Sequence, residues 1–512
     1  TSELVLTLDA NTKDTSDKGW GEYPITAFFG GFSNSIDVDI TQNDVTISGG
    51  SFGSNKVFYC GYGASRGSDA IENTLTISDG SFENNNYFRG GCAGDNGTAS
   101  ENALTISAGS FGDENKFYGG YSECGNATGN TVEISGGSFG NNNEFYGGVS
   151  NYSGDVTGNT LEISGGSFGN NNNFYGGYSE YGNATGNTVT ISGGSFGNSN
   201  NFYGGYSNEG NVTGNILTIS DGFFDGAYFR CAETGSGSGD VKNNVINITG
   251  GSFKNTEFIA GYPDGDGSGG DGTDNELNIS GGNFTGENHF VAASVSSGGN
   301  GFNNIVNITG GTFGDGYYLQ GLTGSSWNES SGNTLNLKIK MGGKAERVDG
   351  FQIMNFTLPS NIAKGETMLS TSNVVYDNTT IGVDADDGVK LSSGDVITLI
   401  AADNKSGDVS NINKEVLDGA GKISMDGNNL ILTMLEDLVT EPEATGDKEK
   451  SPVEAIAAGM AMINQSADLA SNEGLNNLVQ NTASGTMDTF GALSANRSKY
   501  KTGSHVDMDG WG

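Results

Sequence analysis

The pattern Gly-x-Ser-x-Gly lifts a nucleophilic serine onto a sharp strand-to-helix turn in many hydrolases. Here it occurs at Gly49-Gly50-Ser51-Phe52-Gly53, again around Ser138, Ser167 and Ser195, and once more at Gly63-Ala64-Ser65-Arg66-Gly67. An active site occurs once, whereas these serines return at a fixed interval. Only two histidines, His289 and His505, are present to serve as a base. The serines therefore read as structural. Glycan cleavage would need carboxylates grouped with a Lys or Arg, or a metal. Between residues 52 and 330 the basic residues are Lys56, Arg66, Arg89, Lys116, Arg230, Lys242 and Lys254. Arg89 and Arg230 share a strand position but stand five repeats apart, and no single repeat gathers an acid/base set. The expectation is no catalytic residue and no cofactor.

Two other groups of residues have the chemistry of a binding site. Asp264, Asp266, Asp271, Asp274 and Glu276 fall in the Gly-rich segment 261–276, where oxygen ligands could hold Ca²⁺. The calcium-binding nonapeptide pattern is missing, so a solvated acidic loop is the plainer reading. Tyr118, Tyr146, Tyr175 and Tyr203 each follow a Phe in an extended segment, and Tyr59 occupies the same column. If the Phe side chains point inward, the two-residue period of a strand sends these tyrosines outward. They would then form an exposed stripe for sugar rings or a partner surface, or else stack on one another and shield the sheet. Cys60, Cys92, Cys124 and Cys231 form no Cys-x-x-Cys pair, which excludes a zinc site and a disulfide scaffold and leaves free or incidentally paired thiols.

The elements that must position these residues come from an internal repeat. Phe recurs at 52, 82, 111, 139, 168, 196, 224, 253, 284 and 313, in steps of 28 to 31 residues. Nine residues before each stands an Asn, five before an Ile, two before a Gly, and seven before a Val, Leu or Ile. Around Ile191 the run Asn187-Thr188-Val189-Thr190-Ile191 alternates polar and apolar, a strand with one buried face. Short extended pieces follow around Phe196 and from Phe202 to Tyr206. The unit has no room for a helix. Three short strands per coil of about 29 residues predict an all-β, right-handed parallel β-helix whose coils stack at ~4.8 Å. Like side chains then lie over like, with the Asn column as an amide ladder at a turn and the Gly at a corner of unusual backbone conformation.

Composition agrees with a packed but unusual chain: 87 Gly against 5 Pro, 10% aromatic residues, and a net charge of −38. Such a field repels nucleic acid and anionic lipid. No signal peptide opens the sequence and no run of roughly 18 apolar residues could span a membrane. An exported form would have had its leader removed.

The layout reads as an N-terminal cap and partial coil (1–42), regular coils (43–340), irregular coils with a C-terminal cap (341–435), an acidic linker (436–451), a helix (452–485) and a strand-like end (486–512) with a turn at Thr502-Gly503-Ser504. Ser451 before Pro452, with Glu454 in the first turn, supplies the start of that helix. The repetitive region, the segment Ser393-Gly394-Asp395-Val396-Ile397-Thr398-Leu399-Ile400, the linker, the helix and Ser498-Lys499-Tyr500-Lys501-Thr502-Gly503-Ser504-His505-Val506-Asp507 together resemble a Gram-negative autotransporter. The resemblance covers the layout of the whole chain, with its specific text in the C-terminal part. It implies a passenger exported through an outer-membrane β-barrel, a helix threading the pore, and residues 486–512 as the opening of the barrel. The remaining barrel strands are missing from this sequence, so the chain as it stands would not insert itself. The expected function is a bacterial surface adhesin or presentation scaffold that binds a glycan, a protein or its own kind through repetitive faces and variable loops such as 206–214 and 262–274. The alternatives are a polysaccharide-degrading enzyme and a self-associating structural protein.

Overall fold

A computed structural model describes residues 5–8, 27–263, 269–295, 298–324, 329–440, 495–502 and 504–511. The repeat forms a parallel β-solenoid. One coil shows the construction: Ala127–Thr128, Thr131–Ile134, Ser138–Phe139 and Glu144–Ser150 follow one another around the axis. Each pairs in parallel with its equivalent in the next coil, Val132 over Leu161, Ile134 over Ile163, Phe139 over Phe168 and Phe145 over Phe174. The second and third segments belong to the first sheet, the long fourth segment to the second.

The coil has four strands, not three. The additional one is the two-residue strand that precedes each ladder Asn, and eleven of these make a third sheet from Ile40–Thr41 to Ser330–Ser331. A two-residue strand is too short to show a period. Its inward position holds a small residue in successive coils (Ala99, Ala127, Val156, Ala184, Val212), all fully buried.

The core is a set of columns. Phe139 and Phe168 stack at 4.8 Å, as do Phe145 and Phe174, and the two stacks meet edge to face, Phe139 to Phe145 at 5.3 Å and 80°. Burying each ring contributes about 2 kcal/mol. The Asn column is a continuous amide ladder inside the rod. Asn187 Nδ2 donates to Asn215 Oδ1 (3.0 Å) and to Val156 O (3.1 Å), while its Oδ1 accepts from Asn159 Nδ2 and Asn159 N (both 3.0 Å). The glycine two residues before each Phe has a left-handed backbone, φ 103° at Gly137 and 105° at Gly194.

Cys60 and Cys231 sit in the inward column that Gly occupies in the intervening coils. Each thiol lies against two backbone carbonyls, those of Asn43 and Thr74 (3.0 and 3.1 Å) and of Asn215 and Val245 (3.1 and 3.2 Å). All four cysteines are free. Burial pushes the Cys60 and Cys231 thiols up to about 12 against a smaller opposing effect of nearby backbone hydrogen bonds. The fold thus holds a proton that the unfolded chain releases near pH 8.5. That stability is complete below about pH 8.5 and drains away as pH rises toward 12. Urea midpoints should therefore fall less between pH 8 and pH 10.5 in a Cys60→Ala/Cys231→Ala variant than in the parent. An identical fall in both would refute the assignment.

After Thr334–Leu337 the coils become irregular. Ile353–Leu358 still stacks in parallel on Thr334–Leu337, and the 19-residue strand Thr367–Ala385 pairs with Val396–Val409. The chain then reverses: Asn429–Met434 runs antiparallel to both Val396–Ile400 and Gly421–Asp426, burying Leu430, Leu432 and Met434 over the end of the core. At the other end Val5–Leu8 pairs with Asp44–Ile47, and Ala27–Ser33 with Val57–Gly63. Residues 442–512 form a separate compact unit, of which the described part is an antiparallel hairpin, Ala495–Thr502 with Ser504–Trp511. The expected helix 452–485 lies outside the described residues. Among the described residues the helical content is one 3-10 turn, Leu417–Gly419, and no helix is long and apolar enough to cross a membrane.

Candidate functional site

The outer face of the second sheet carries the residues of interest. In the strand Lys116–Ser122, Phe117 is buried in the core while Lys116, Tyr118 and Tyr121 face outward. Alternation fails at the glycine pair between the tyrosines. A Cβ on Gly119 would strike the carbonyls of Gly147 and Thr131, and one on Gly120 would strike the Asn130 amide, so both positions point inward. Tyr118 and Tyr121 consequently stand side by side and close on each other edge to face, at 5.6 Å and 78°.

Three outer columns result. In the central one Tyr118, Tyr146, Tyr175 and Tyr203 stack at 5.0, 4.8 and 4.6 Å with nearly parallel rings. Of the two readings of this column, an exposed stripe or rings stacked on one another, the structure shows the stack. Each ring covers the next, and the neighbouring column covers the edges, leaving Tyr118 6% and Tyr146 9% exposed. Tyr59 is half-buried in the same column, stacked on Phe29 at 5.2 Å. Burial, reinforced by the neighbouring phenols, holds the Tyr146 and Tyr175 hydroxyls well above the usual phenol range.

Two arginines take a ring's place in this stack. The Arg89 guanidinium lies over Tyr59 and Tyr118 in its own column (5.2 and 5.1 Å) and over Tyr121 (4.2 Å), and donates to Tyr59 Oη at 3.0 Å. Arg230 lies over Tyr262 at 4.8 Å and is gripped by Glu233 (2.7 Å) and Glu257 (3.8 Å). The Nε–H of both is buried without an acceptor, a deficit that the electron-rich ring faces offset.

Beyond Arg230 the central column changes to Ile259, Val291, Gln320 and Asp349, and the column beside it runs Tyr262, Ser294, Thr323. Replacing tyrosines by small and aliphatic residues opens a trough of about 510 Å³. Its floor is Ile259 (4% exposed) and Val291 (2%). Tyr262 lines one side; His289 and Tyr318, stacked at 4.2 Å, line the other. The ends carry Arg230 with Glu257, and Arg347 with Asp349, whose carboxylate also accepts from Gln320 Nε2 at 3.0 Å. His289 Nε2 lies 3.3 Å from Glu287 Oε1. An apolar floor between aromatic sides, with hydrogen-bonding groups at the ends, is the make-up of a small-ligand site. Comparison with protein-family models, curated proteins and solved structures finds no match. The functional reading rests on this geometry.

The other sequence candidates are not brought together. Ser51, Ser138, Ser167 and Ser195 are exposed on strands of the first sheet, away from His289 on the second and from any strand-to-helix turn among the described residues. Asp264 and Asp266 lie outside the described residues. Asp271 is a rung in a corner ladder, accepting from Asn300 N (3.0 Å) and Nδ2 (2.9 Å). Asp274 accepts from Asn303 Nδ2 (3.2 Å) and Glu276 from Asn307 Nδ2 (2.6 Å). Their neighbours in the stack, not each other, fix these carboxylates. Among the described residues no three His, Cys, Asp or Glu side chains are placed to hold a metal.

The trough is what repeat-by-repeat reading missed. It gathers residues from successive coils, and none of those coils looks unusual alone. Its signal was a failure of pattern: aligning Phe202–Tyr206 with Phe258–Tyr262, Phe290–Ser294 and Leu319–Thr323 shows the central tyrosine column ending at Tyr203 and the column beside it ending at Tyr262.

Proposed function

We propose that this chain is an adhesin whose β-solenoid is a binding rod, presented on a bacterial surface in the manner of an autotransporter passenger, which engages a glycan or protein through the outer face of its second sheet. The observation that carries the reading is the trough at the end of the tyrosine stack, an amphipathic recess in a face that is otherwise tightly packed. Binding suits its chemistry better than catalysis. Arg230 links Glu233 and Glu257, and Arg347 engages Asp349, so the ionic groups are held in pairs. The acidic hairpin-bearing chain, with 61 Asp and Glu against 23 Lys and Arg, fits an extracellular surface role that avoids polyanions.

The full chain, applied to an array of glycans and extracellular matrix proteins, should be retained by at least one class and release no reducing sugar from it. Release of reducing ends would make it a glycan-processing enzyme instead. Concentration-dependent self-association in sedimentation runs, with no retention on the array, would make it a self-assembling surface protein.

A further inference from the structure

We propose that the trough between Arg230 and Asp349 is a saccharide subsite for an uncharged sugar, its ring lying on the Ile259–Val291 floor between Tyr262 and Tyr318. This rests on the reading of the chain as a binding rod and supplies the ligand class.

Three observations converge on a sugar. The first is the distribution of polarity. A pyranose has apolar C–H faces and a polar hydroxyl rim, and the trough matches it with an aliphatic floor, aromatic sides and polar ends. A purely apolar ligand would desolvate the Gln320–Asp349–Arg347 cluster and leave the donors and lone pairs that its internal bonds do not use unsatisfied.

The second is the place of the aromatic rings. Along the Tyr118–Tyr203 stack the ring faces cover one another. In the trough the flanking columns hold Tyr262 and Tyr318 while the column between them holds Ile259 and Val291. The two aromatic walls are therefore separated by a low floor, and both line the space. Ser294 and Thr323, where other coils carry tyrosine, keep it open.

The third is charge. The ends contribute Arg230 and Arg347 against Glu257 and Asp349, which balance. Arg230 already has carboxylates at 2.7 and 3.8 Å. No cation of the lining stands without a carboxylate to receive an acid group, and the chain's net charge of −38 opposes an anionic ligand from a distance. Paired charges are well suited to hydroxyls, since charge-assisted donors and acceptors make the stronger hydrogen bonds. Arg347 meets Asp349 through Nε, which leaves its Nη donors available for a sugar hydroxyl.

The test uses the full chain and a defined panel: neutral oligosaccharides of glucose, galactose, mannose and N-acetylglucosamine beside oligogalacturonate, sialyllactose and a heparin oligosaccharide, titrated calorimetrically. Binding of at least one neutral member is expected, weakened roughly tenfold or more in Tyr262→Ala, the scale of losing an aromatic anchor. Val291→Trp, which fills the trough, should abolish it, and Glu162→Gln on the exposed first sheet should leave it unchanged. Circular dichroism should be the same in the parent and in Tyr262→Ala. Binding confined to the acidic members, or neutral binding indifferent to both trough variants, would overturn the proposal. A chain that binds cells or matrix protein but no neutral sugar would overturn it while leaving the binding-rod reading standing. A chain that binds nothing would remove both.

Discussion

Asn187→Ala should lower the opening free energy of the coils it joins by about 4 kcal/mol, measured by hydrogen exchange of the backbone amides between residues 159 and 215. The side chain is fully buried and takes part in four hydrogen bonds at once. Truncation leaves the Asn159 N–H without its acceptor, at a cost of about 2 kcal/mol for a buried orphan. Asn159 Nδ2 keeps Ala127 O (2.9 Å) and Thr157 O (3.3 Å), and Asn215 Oδ1 keeps the Asn187 N–H (2.9 Å), so each of those groups loses one partner and retains another. Three weakened bonds at about 0.5 kcal/mol each, together with the orphan and a small cavity, give the sum. Because a coil touches only its neighbours, the loss should be local. Amides around Phe284 and Phe313, several coils away, should keep their protection. A loss below about 1 kcal/mol would mean that the ladder is ornamental and that side-chain columns alone hold the coils in register.

Much of this was legible in the residues. Val189 and Ile191 flanked by Thr188 and Thr190 announce a one-faced strand, and the constant interval between Phe residues dictates that copies stack. The Asn in front of each strand was readable as an amide ladder because a polar column inside a stack is stable only when each rung satisfies the next. Other features were hidden for physical reasons. The third sheet uses two residues per coil, so no periodicity could show. The tyrosines were correctly assigned to the outer face of their strand, but strict alternation hides that Gly119 and Gly120 both face inward. That local reversal brings Tyr118 and Tyr121 together and buries what period two would expose. Asp271 looked like part of an acidic cluster because neighbours in sequence were counted. In a solenoid the relevant neighbour is one coil away, and there Asp271 meets Asn300.

The candidate site was least legible because it is a departure from the repeat. Identical coils give identical columns, which pack into a featureless wall. A recess needs adjacent coils to abandon large residues in neighbouring columns, as Ile259 and Val291 do in one and Ser294 and Thr323 in the next. In such a fold stability lies in what the coils share, and recognition lies in where they differ.

The glycine pair supplies the second large prediction. Gly177→Ala should cost about 3 kcal/mol, although Gly177 is not among the left-handed glycines and Ala could adopt its backbone. The obstacle is the ladder itself: a Cβ there would sit 2.5 Å from both Cγ and Oδ1 of Asn187 and 2.7 Å from its Nδ2. The amide is bonded to the rungs on both sides, so it retreats only by straining those bonds. With Asn187→Ala already in place the added methyl enters vacated space. The cost of Gly177→Ala should then shrink to near zero or change sign, because Ala also restricts the unfolded chain by about 0.5 kcal/mol. The double-mutant cycle should therefore return a coupling of about 3 kcal/mol. Gly176 is the internal control. Its Cβ would strike the Gly204 carbonyl at 2.4 Å, so Gly176→Ala should stay costly whether or not Asn187 is present. Additive costs for Gly177 and Asn187 would mean that the glycine is required by the chain's bend and not by the amide packed against it, and the account of the outward-facing tyrosines would lose its cause.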